Sequence, residues 1–594
     1  MSSARVDPNR VARPALLFGA ATAFVAAVDL VRELRPRLLL DAEPGWAAPR
    51  LLLGLTVVAG AAAAAALAAA VFHRLTRTSL ISGALEPLPF GARAALGIAV
   101  VALGLGVVAR VVCVRSLTIP YLEDEVNLVA PSLALTGTAR DFSDSIRPIP
   151  YGRPDPHEMV GVAYLRLLRR SLELFGATPF AVRAPSLLGG LLSLFTAALL
   201  AGALLPRGGA ALAALALAGL RWHLILSFSG WHSILLAPLV DLAALLLVAA
   251  RRRGGPWRAV LAGALSGVGA HLYLAAWAAA AGLAAFAAWP GERAELARAR
   301  VARTLLFAAG FALLAAPLFL LAEGRRIPYF GRTSRHSVVR EMRIAGSPLP
   351  LFSAAADAIP APWVLPDPEG RHDLAGASRL GWILGIPVAV ALARALVSPR
   401  SELSGLLLSA ALAAFAAAVA GGQAGHPNGF RFGYLSTFAA VAAAAGCLAV
   451  VGAFPIAARG PAAFAVVGLL AISGARGLRQ AAVEWPSHPA TFASFHGEDT
   501  LIGTAAARWK ALGPVRVAPG LGRSDATIET VARYRLGDRG RPVSPPPALH
   551  DSARRFRIEP PAVVPEPGER IVERVRDPWG REWAIVLGRK SEPS

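Results

Sequence analysis

Residues 94–127 read AALGIAVVALGLGVVARVVCVRSLTIPYLEDEVN, and this stretch decides the fold. The apolar run from Ala94 to Val114 is long enough for a membrane span, which needs about 20 apolar residues. The acidic triplet Glu123, Asp124 and Glu125 follows shortly afterwards. Carboxylates at the end of a span suggest chemistry at the membrane surface, although acidic residues are mostly solvated there, and composition alone favours that simpler interpretation.

Composition extends the membrane assignment to most of the chain. Of 594 residues, 55% are hydrophobic and 16% are charged, which is more apolar than a soluble domain of this size. Further runs of span length are residues 51–72, 185–205 and 302–321. We predict an all-α polytopic membrane protein with roughly thirteen spans at about 20 residues each.

The formal charge of +22 comes almost entirely from arginine, since Lys510 and Lys590 are the only lysines. No aromatic-basic face or recognition-helix pattern accompanies it, so we expect no nucleic-acid partner. Arginine clusters flank spans instead, as at Arg251, Arg252 and Arg253. With that cluster in the cytoplasm, the triplet, the loop 323–378 and the C-terminal tail all lie on the extracytoplasmic face. Arginines between residues 32 and 50 fit this arrangement poorly, which leaves the topology of the first two spans open.

The sequence divides into three parts. Residues 1–92 hold an N-terminal pair of spans, residues 93–476 a transmembrane core with external loops at about 116–182 and 323–378, and residues 477–594 a small soluble α/β domain. Two amphipathic helices, one after the triplet and ending near Gly137 and one within 159–175, are expected in the headgroup layer. In the tail, we predict helices around 501–512 and 528–536, a strand at 515–518, and a hairpin of 571–576 with 583–587.

Four motifs of the core resemble those of the GT-C membrane glycosyltransferases, in the family 39 branch that includes protein O-mannosyltransferases and lipid A aminoarabinose transferases. The stretch YLEDEVN at 121–127 is similar to that family's Asp-Glu signature in the first external loop. The other three are RAPSLLGG at 183–190, SFSGWHS at 227–233 and LAGALSGVG at 261–269. The resemblance covers residues 93–321 well and the later spans loosely.

The resemblance implies a polyprenyl-phosphate-linked sugar donor, an inverting transfer to an envelope acceptor, and an acidic residue of the pair as catalytic base. We assign that role to Asp124, with Glu125 orienting acceptor or donor and the neighbouring Glu123 as a substrate-binding residue. A carboxylate near an acceptor hydroxyl can act as general base. Independently, the chain has no Gly-rich nucleotide-binding unit, phosphate loop or Asp-x-Asp metal motif, which argues against a nucleotide-sugar donor. A divalent metal is possible at the acidic pair, but we predict no cofactor and no metal site.

A phosphate leaving group needs positive charge, which arginine supplies in a two-point geometry. Arg431 lies in HPNGFR at 426–431, which resembles a late family motif. The turn at Ser229 departs from the family, because Gly230 stands where many relatives carry arginine. The predicted lipid-phosphate-binding residues are Arg147, Arg153, Arg332, Arg335 and Arg431, from a wider external set that includes Arg325, Arg326, Arg340 and Arg343.

Ionisable residues inside spans deserve separate weight, since they are costly there and often functional. Asp241 lies near the middle of the run 233–250, where it could pair with Arg221, His223 or His271, or line a polar cavity. His232 and His271 are expected to be packed or hydrogen-bonded, not metal-bound.

The preferred hypothesis is a multi-pass glycosyltransferase of a bacterial-type inner membrane, with membrane lipids and an envelope acceptor as partners. Asp241 and the amount of helical membrane motivate one alternative, a transporter or flippase of a lipid-linked glycan. A second alternative is an inactive, family-like scaffold that binds partners through its tail.

Overall fold

The computed structural model describes residues 85–116, 123–134, 149–150, 159–160, 162–291, 296–324, 337–358, 363, 370–421, 432–523, 525–534 and 554–590. The predicted N-terminal pair of spans therefore lies outside the described residues. The described chain is mostly helical, with two short strands, β1 (Ile149–Pro150) and β2 (Met159–Val160), in the first loop and a sheet in the tail.

The helices follow one another from the first described span to the tail. They are α1 (Ala92–Ser116), α2 (Glu123–Ala134), α3 (Val162–Phe175), α4 (Pro179–Leu204), α5 (Gly209–Ala218), α6 (Arg221–Phe228), α7 (Leu236–Arg253), α8 (Pro256–Ala270), α9 (Ala276–Ala288), α10 (Ala297–Gly324), α11 (Val338–Ala345), α12 (Leu349–Ala358), α13 (Gly381–Val397), α14 (Glu402–Ala420), α15 (Leu435–Ala453), α16 (Ile456–Arg479), α17 (Pro489–Ser494), α18 (Gly497–Lys510) and α19 (Asp525–Tyr534).

Seven of these helices are long and apolar enough to cross a membrane: α1, α4, α7 with its preceding 3₁₀ turn, α10, α14, α15 and α16. The pair α5 and α6 would make an eighth span, bent by 59° at its break. The polytopic prediction is thereby confirmed. The predicted number of roughly thirteen spans is not confirmed, since within the described ranges several apolar helices, such as α9 and α13, are shorter than a full span.

Contacts define two ends of the helical bundle. At one, here called the arginine end, Arg251 donates to the carbonyls of Phe286 and Trp289, and Arg252 pairs with Glu402 at 2.7 Å. At the other, the site end, Arg221 at the start of α6 contacts Asp373 from the loop before α13 and Gln480 just after α16. The acidic helix α2 and the tail also lie there. The three polar regions that the sequence predicts on one face thus meet at one end of the bundle.

Glycines let several helices approach backbone to backbone, a common means of packing where neighbouring lipid is as apolar as the side chains. A Cβ at Gly263 of α8 would lie 1.9 Å from the Phe307 carbonyl oxygen of α10, and one at Gly310 would lie 2.0 Å from that of Val260. At the site end, a Cβ at Gly477 would lie 2.0 Å from the carbonyl oxygen of Gly219, in the break between α5 and α6.

The break in the bent pair is held by an arginine from α1. The Arg110 guanidinium is fully buried and donates to the carbonyls of Leu217 and Ala218 at 3.0 and 3.1 Å. It also lies 2.8 Å from Nδ1 of His223 on α6. Helix ends interrupt the backbone hydrogen-bond ladder, and Arg110 adds donors to the last two carbonyls where α5 stops.

The tail forms a four-stranded sheet of order β3-β4-β6-β5, with α18 packed on the sheet and α19 packed on α18. The strands are β3 (Val515–Val517), β4 (Arg554–Glu559), β5 (Glu569–Arg576) and β6 (Glu582–Lys590). Strand β3 pairs with β4 in parallel and the other pairs are antiparallel. Asp577 accepts from the backbone nitrogens of Trp579 and Arg581 and so closes the β5–β6 turn. The predicted hairpin, helices and α/β class are confirmed, while β4 is an additional strand.

Candidate active site

The acidic helix begins at the predicted place, since α2 starts at Glu123 and contains all three carboxylates of the triplet. Val126 and Val129 on the same helix are fully buried, which agrees with the helical apolar spacing in the sequence. Asp124 follows Glu123 in the first turn of this helix. A helix start is a favourable position for carboxylates, because the backbone N–H groups there carry partial positive charge.

Glu125 forms a buried two-point ion pair with Arg183 near the start of α4. Nε of Arg183 lies 3.2 Å from Oε1, and Nη2 lies 3.2 Å from Oε2. Neither side chain is exposed to solvent. Parallel contacts of this kind match the planar guanidinium to the planar carboxylate. They fix the position of α2 relative to α4.

A third contact to Glu125 comes from the turn between α6 and α7, where the backbone nitrogen of Gly230 donates to Oε1. A Cβ at this position would lie 3.0 Å from Oε1 and 3.1 Å from the carbonyl oxygen of Val182, closer than most side chains tolerate. The glycine that departs from the family pattern is therefore the residue that fits against Glu125.

Two neighbouring hydroxyls hold the same turn. The Tyr164 hydroxyl from α3 donates to the Gly230 carbonyl at 3.0 Å, and Ser186 from α4 donates to the Trp231 carbonyl at 2.7 Å. Burial, together with the nearby Glu125 carboxylate, raises the pKa of Tyr164, so its hydroxyl stays neutral and able to donate. The site end is thus a rigid polar network built from α2, α3, α4 and the turn 229–231.

A second buried network lies at the same end. Arg221 contacts Asp373 through Nε at 2.6 Å and Nη2 at 3.1 Å, and donates to the side-chain oxygen of Gln480 at 2.7 Å and the Ser378 carbonyl. Burial raises the pKa of Asp373, and the Arg221 charge opposes this only in part. The network joins the loop before α13 to the bent pair and to the chain leaving α16.

Asp241 does not pair with the residues proposed for it from sequence. Its two oxygens accept from Thr196 and Thr437, each at 2.8 Å. The three proposed partners bond elsewhere: Arg221 to Asp373, His223 to Arg110, and Nε2 of His271 to the Leu314 carbonyl. Two short hydroxyl side chains on α4 and α15 thus satisfy the buried carboxyl and link three spans. His232 packs as predicted, against the rings of Tyr164, Trp231 and Tyr273.

The predicted phosphate-binding arginines fall largely outside the described residues: Arg147, Arg153, Arg325, Arg326, Arg332, Arg335 and Arg431. Arg340 and Arg343 lie on the amphipathic helix α11 and are exposed. Within the described ranges, no three His, Cys, Asp or Glu side chains converge as a metal site would require.

The sequence predictions assign no role to Arg183, although it is the first residue of the motif RAPSLLGG at 183–190. A signal was present, because an arginine at the start of an apolar span needs a partner, and Glu125 is a carboxylate on the preceding external helix.

Comparison with known proteins supports the fold assignment. No protein-family model and no curated protein sequence matches the chain. Among solved structures, apo ArnT from Cupriavidus metallidurans matches with a TM-score of 0.50 at 14% identity, over 83% of this chain and 98% of ArnT. ArnT bound to undecaprenyl phosphate matches with a TM-score of 0.45 at 13% identity, over 84% and 98% of the two chains.

An archaeal enzyme gives a more distant match. The oligosaccharyltransferase AglB from Archaeoglobus fulgidus, in complex with an inhibitory peptide and a dolichol-phosphate, has a TM-score of 0.41 at 17% identity, over 76% of this chain and 61% of AglB. The chain is therefore a polytopic membrane protein with the fold of the GT-C membrane glycosyltransferases.

Proposed function

We propose that this chain is a membrane glycosyltransferase that moves a sugar from a polyprenyl-phosphate donor to a hydroxyl of a cell-envelope acceptor. The observation that carries the proposal is the acidic helix α2, which the buried pair of Glu125 and Arg183 anchors at the site end of a GT-C bundle. The donor class is supported by the fold, because ArnT, which shares it, was also solved with undecaprenyl phosphate.

In this proposal Asp124 is the catalytic base and Glu125 its positioning neighbour. The Asp124 carboxylate takes the proton of the acceptor hydroxyl while that oxygen attacks the anomeric carbon of the donor sugar. The bond from the anomeric carbon to the phosphate oxygen breaks, and the polyprenyl phosphate leaves with the bonding electrons. A single displacement of this kind inverts the anomeric configuration.

Glu125 is the less suitable base of the two. Both of its oxygens already accept hydrogen bonds from Arg183 and Gly230 inside the protein, so they are engaged away from an acceptor hydroxyl. The prediction that Glu125 orients a substrate becomes, in this proposal, an indirect role: it fixes the helix on which Asp124 stands. Glu123 remains a candidate contact to acceptor or donor.

The departing phosphate requires positive charge, since a second negative charge develops on it as the bond breaks. Arg147, Arg153, Arg332, Arg335 and Arg431 are the proposed ligands, all in segments that the sequence assigns to the same face as the triplet. The arginine end supports an extracytoplasmic location of the site, because Arg251, Arg252 and Arg253 fit a cytoplasmic boundary.

Asp241 no longer favours a transporter, because Thr196 and Thr437 account for both of its oxygens. The transporter and the inactive scaffold remain as outcomes of the test below.

The test is donor consumption by the purified protein in lipid, with candidate radiolabelled polyprenyl-phosphate sugars. We expect release of sugar from the lipid by the parent and by Glu529→Gln, which changes an exposed carboxylate of α19. Asp124→Asn should reduce release by roughly 100-fold or more, the usual contribution of a general base. Normal turnover in Asp124→Asn would reject the assignment of the base. A folded parent that consumes no donor would support the transporter or the scaffold.

A further inference from the structure

The helix α19 of the C-terminal domain belongs to two hydrophobic cores at once. Ile528 and Ala532 pack in the core of the tail, with Ile502 and Trp509 of α18. Val531, which is fully buried, and Tyr534 pack instead in the core of the transmembrane bundle, the same cluster that contains Val126 and Val129 of α2. The spacings follow helical geometry, since residues three or four apart share a face.

Outside the core of the tail, α19 lies against the acidic helix α2. Helix α2 contacts α3 and α19, so it is packed between a helix of the first external loop and a helix of the tail. With only 12 residues, α2 is at the length where an isolated helix is marginal in water, about 12–15 residues. Its position therefore depends on these two neighbours and on the ion pair of Glu125.

The tail holds α19 tightly through α18, and Val531 takes part in this contact as well. A Cβ at Gly503 of α18 would lie 2.7 Å from Cβ of Val531 and 2.9 Å from the carbonyl oxygen of Ile528. The backbones of α18 and α19 thus approach so closely that only glycine fits at this position. A displacement of the tail is therefore transmitted to α19 and, through the contact between the two helices, to α2.

We propose that the C-terminal domain is a positioning element of the active site, and that Val531 sets the place of the acidic helix. This inference rests on the proposed function, because it assigns the tail to the reaction of that same site. Catalysis by a base requires the carboxylate within hydrogen-bond reach of the acceptor, and a misplacement of about 1 Å can lower the rate by roughly 100-fold. Val531 touches no reacting atom, so its effect is on the rate of transfer and not on the capture of donor.

The experiment compares full-length variants of α19 and α18 in lipid. Val531→Ala removes a buried side chain from the core that α19 shares with α2, Gly503→Ala displaces α19 from the side of α18, and Val531→Ile keeps a branched apolar side chain. Glu529→Ala, at an exposed position of the same helix, is the matched control. The readouts are kcat and donor KM, together with hydrogen exchange of residues 123–134.

We expect Val531→Ala and Gly503→Ala to lower kcat by roughly 10-fold, a fraction of the loss for a full 1 Å displacement, with donor KM within about two-fold of the parent value. Both should speed exchange in residues 123–134, while Val531→Ile and Glu529→Ala behave as the parent. An unchanged kcat and unchanged exchange in both core variants would overturn the inference, and so would a loss confined to donor KM.

Hydrogen exchange separates the failure of this inference from failure of the proposed function. If the folded parent consumes no donor, the glycosyltransferase proposal fails, but faster exchange of α2 in Val531→Ala still supports the coupling of tail and helix. If the parent is active and α2 exchanges at the parent rate in both core variants, the coupling is rejected and the function stands. A variant whose thermal midpoint falls below the assay temperature is measured at a lower temperature, with the parent beside it.

Discussion

Glu125 and Arg183 lie 58 residues apart in sequence and meet as a solvent-free, two-point ion pair that joins the acidic helix to the first long span after it. The pair uses the fixed fork of the guanidinium, and Gly230 supplies a third donor from a separate turn. A catalytic helix on an external loop would otherwise have few constraints. Three hydrogen bonds to the one carboxylate of Glu125 fix both the height of α2 above the bundle and the rotation of this helix about its axis.

Loss of one partner of this pair should destabilise the protein strongly. We expect Arg183→Ala to lower the free energy of unfolding by about 3–5 kcal/mol, because it leaves the Glu125 charge buried without compensation. The double variant Arg183→Met with Glu125→Gln should be less damaging than Arg183→Ala, since no unpaired charge remains. Chemical unfolding in detergent measures both. Equal losses in the two variants would contradict an ion-pair origin.

Gly230 should not accept even a methyl group without effect. In Gly230→Ala, the new Cβ would contact Oε1 of Glu125 and the Val182 carbonyl, and overpacking in a tight site costs about 1–3 kcal/mol. We expect lower thermal stability and lower donor turnover together, because the Glu125 contact and the helix that carries Asp124 shift. The control is Gly460→Ala on α16, where an added Cβ meets nothing within 4 Å. Full turnover in Gly230→Ala would show that Glu125 can move without consequence for the reaction.

The contact between the bent pair and α16 provides a matched pair of glycines. A Cβ at Gly477 would lie 2.0 Å from the Gly219 carbonyl oxygen, whereas one at Gly474 would lie 3.6 Å from the nearest heavy atom, Cα of Gly219. Gly477→Ala should therefore lower stability by about 1–3 kcal/mol, and Gly474→Ala should be nearly neutral. The difference between the thermal midpoints of the two variants measures the effect of the close approach at Gly477. Equal thermal midpoints would argue against that close approach.

The tail should carry a pH dependence from Glu569 on β5. Arg557 donates to both oxygens of this carboxylate, at 2.9 and 2.7 Å, and lowers its pKa. A carboxylate with a lowered folded-state pKa stabilises the fold above its unfolded pKa, about 4.3, and this stabilisation is lost as pH falls through the folded value. In Glu569→Gln, stability below about pH 4.3 should depend less on pH than in the parent.

Hydrogen exchange of residues 569–576 in the full-length protein, corrected for the intrinsic rate, tests this prediction. Glu529→Gln, which removes a carboxylate from an exposed position on α19, controls for the loss of one negative charge. Parallel pH curves for the parent and Glu569→Gln would remove Glu569 as the cause.

Local pattern predicted the acidic helix and the tail hairpin well, because both depend on neighbours in sequence. Val126 and Val129 repeat at helical spacing, and the turn residues 577–580 separate two apolar-alternating strands. Strand β4 is not predicted from the sequence, although Phe556 and Ile558 alternate with arginine. Its partners β3 and β6 are not joined to it by a short turn, so no hairpin signal marks the pairing. Pairing of that kind depends on the tertiary fold, which no local pattern contains.

The partners of buried polar groups were harder to predict than the groups themselves. The sequence marks Asp241 as costly inside a span and suggests charged or histidine partners, whereas Thr196 and Thr437 fulfil the role. Arg183 lies at the start of an otherwise apolar helix, and its partner Glu125 lies on another helix. In both cases the spatial neighbour lies on a different helix, and helix packing decides which side chains meet.

The arginine in the break of the bent pair has a consequence for biogenesis. Arg110 supplies donors to the last two carbonyls of α5, where the backbone ladder of the bent pair is interrupted, and in hydrocarbon an unsatisfied carbonyl costs several kcal/mol. The span that carries Arg110 is synthesised first, so the donor is already in the membrane when the interrupted segment emerges from the ribosome. The order of synthesis therefore matches the order in which the hydrogen bonds are needed. The broken helix can find the donors of Arg110 as soon as it enters the membrane.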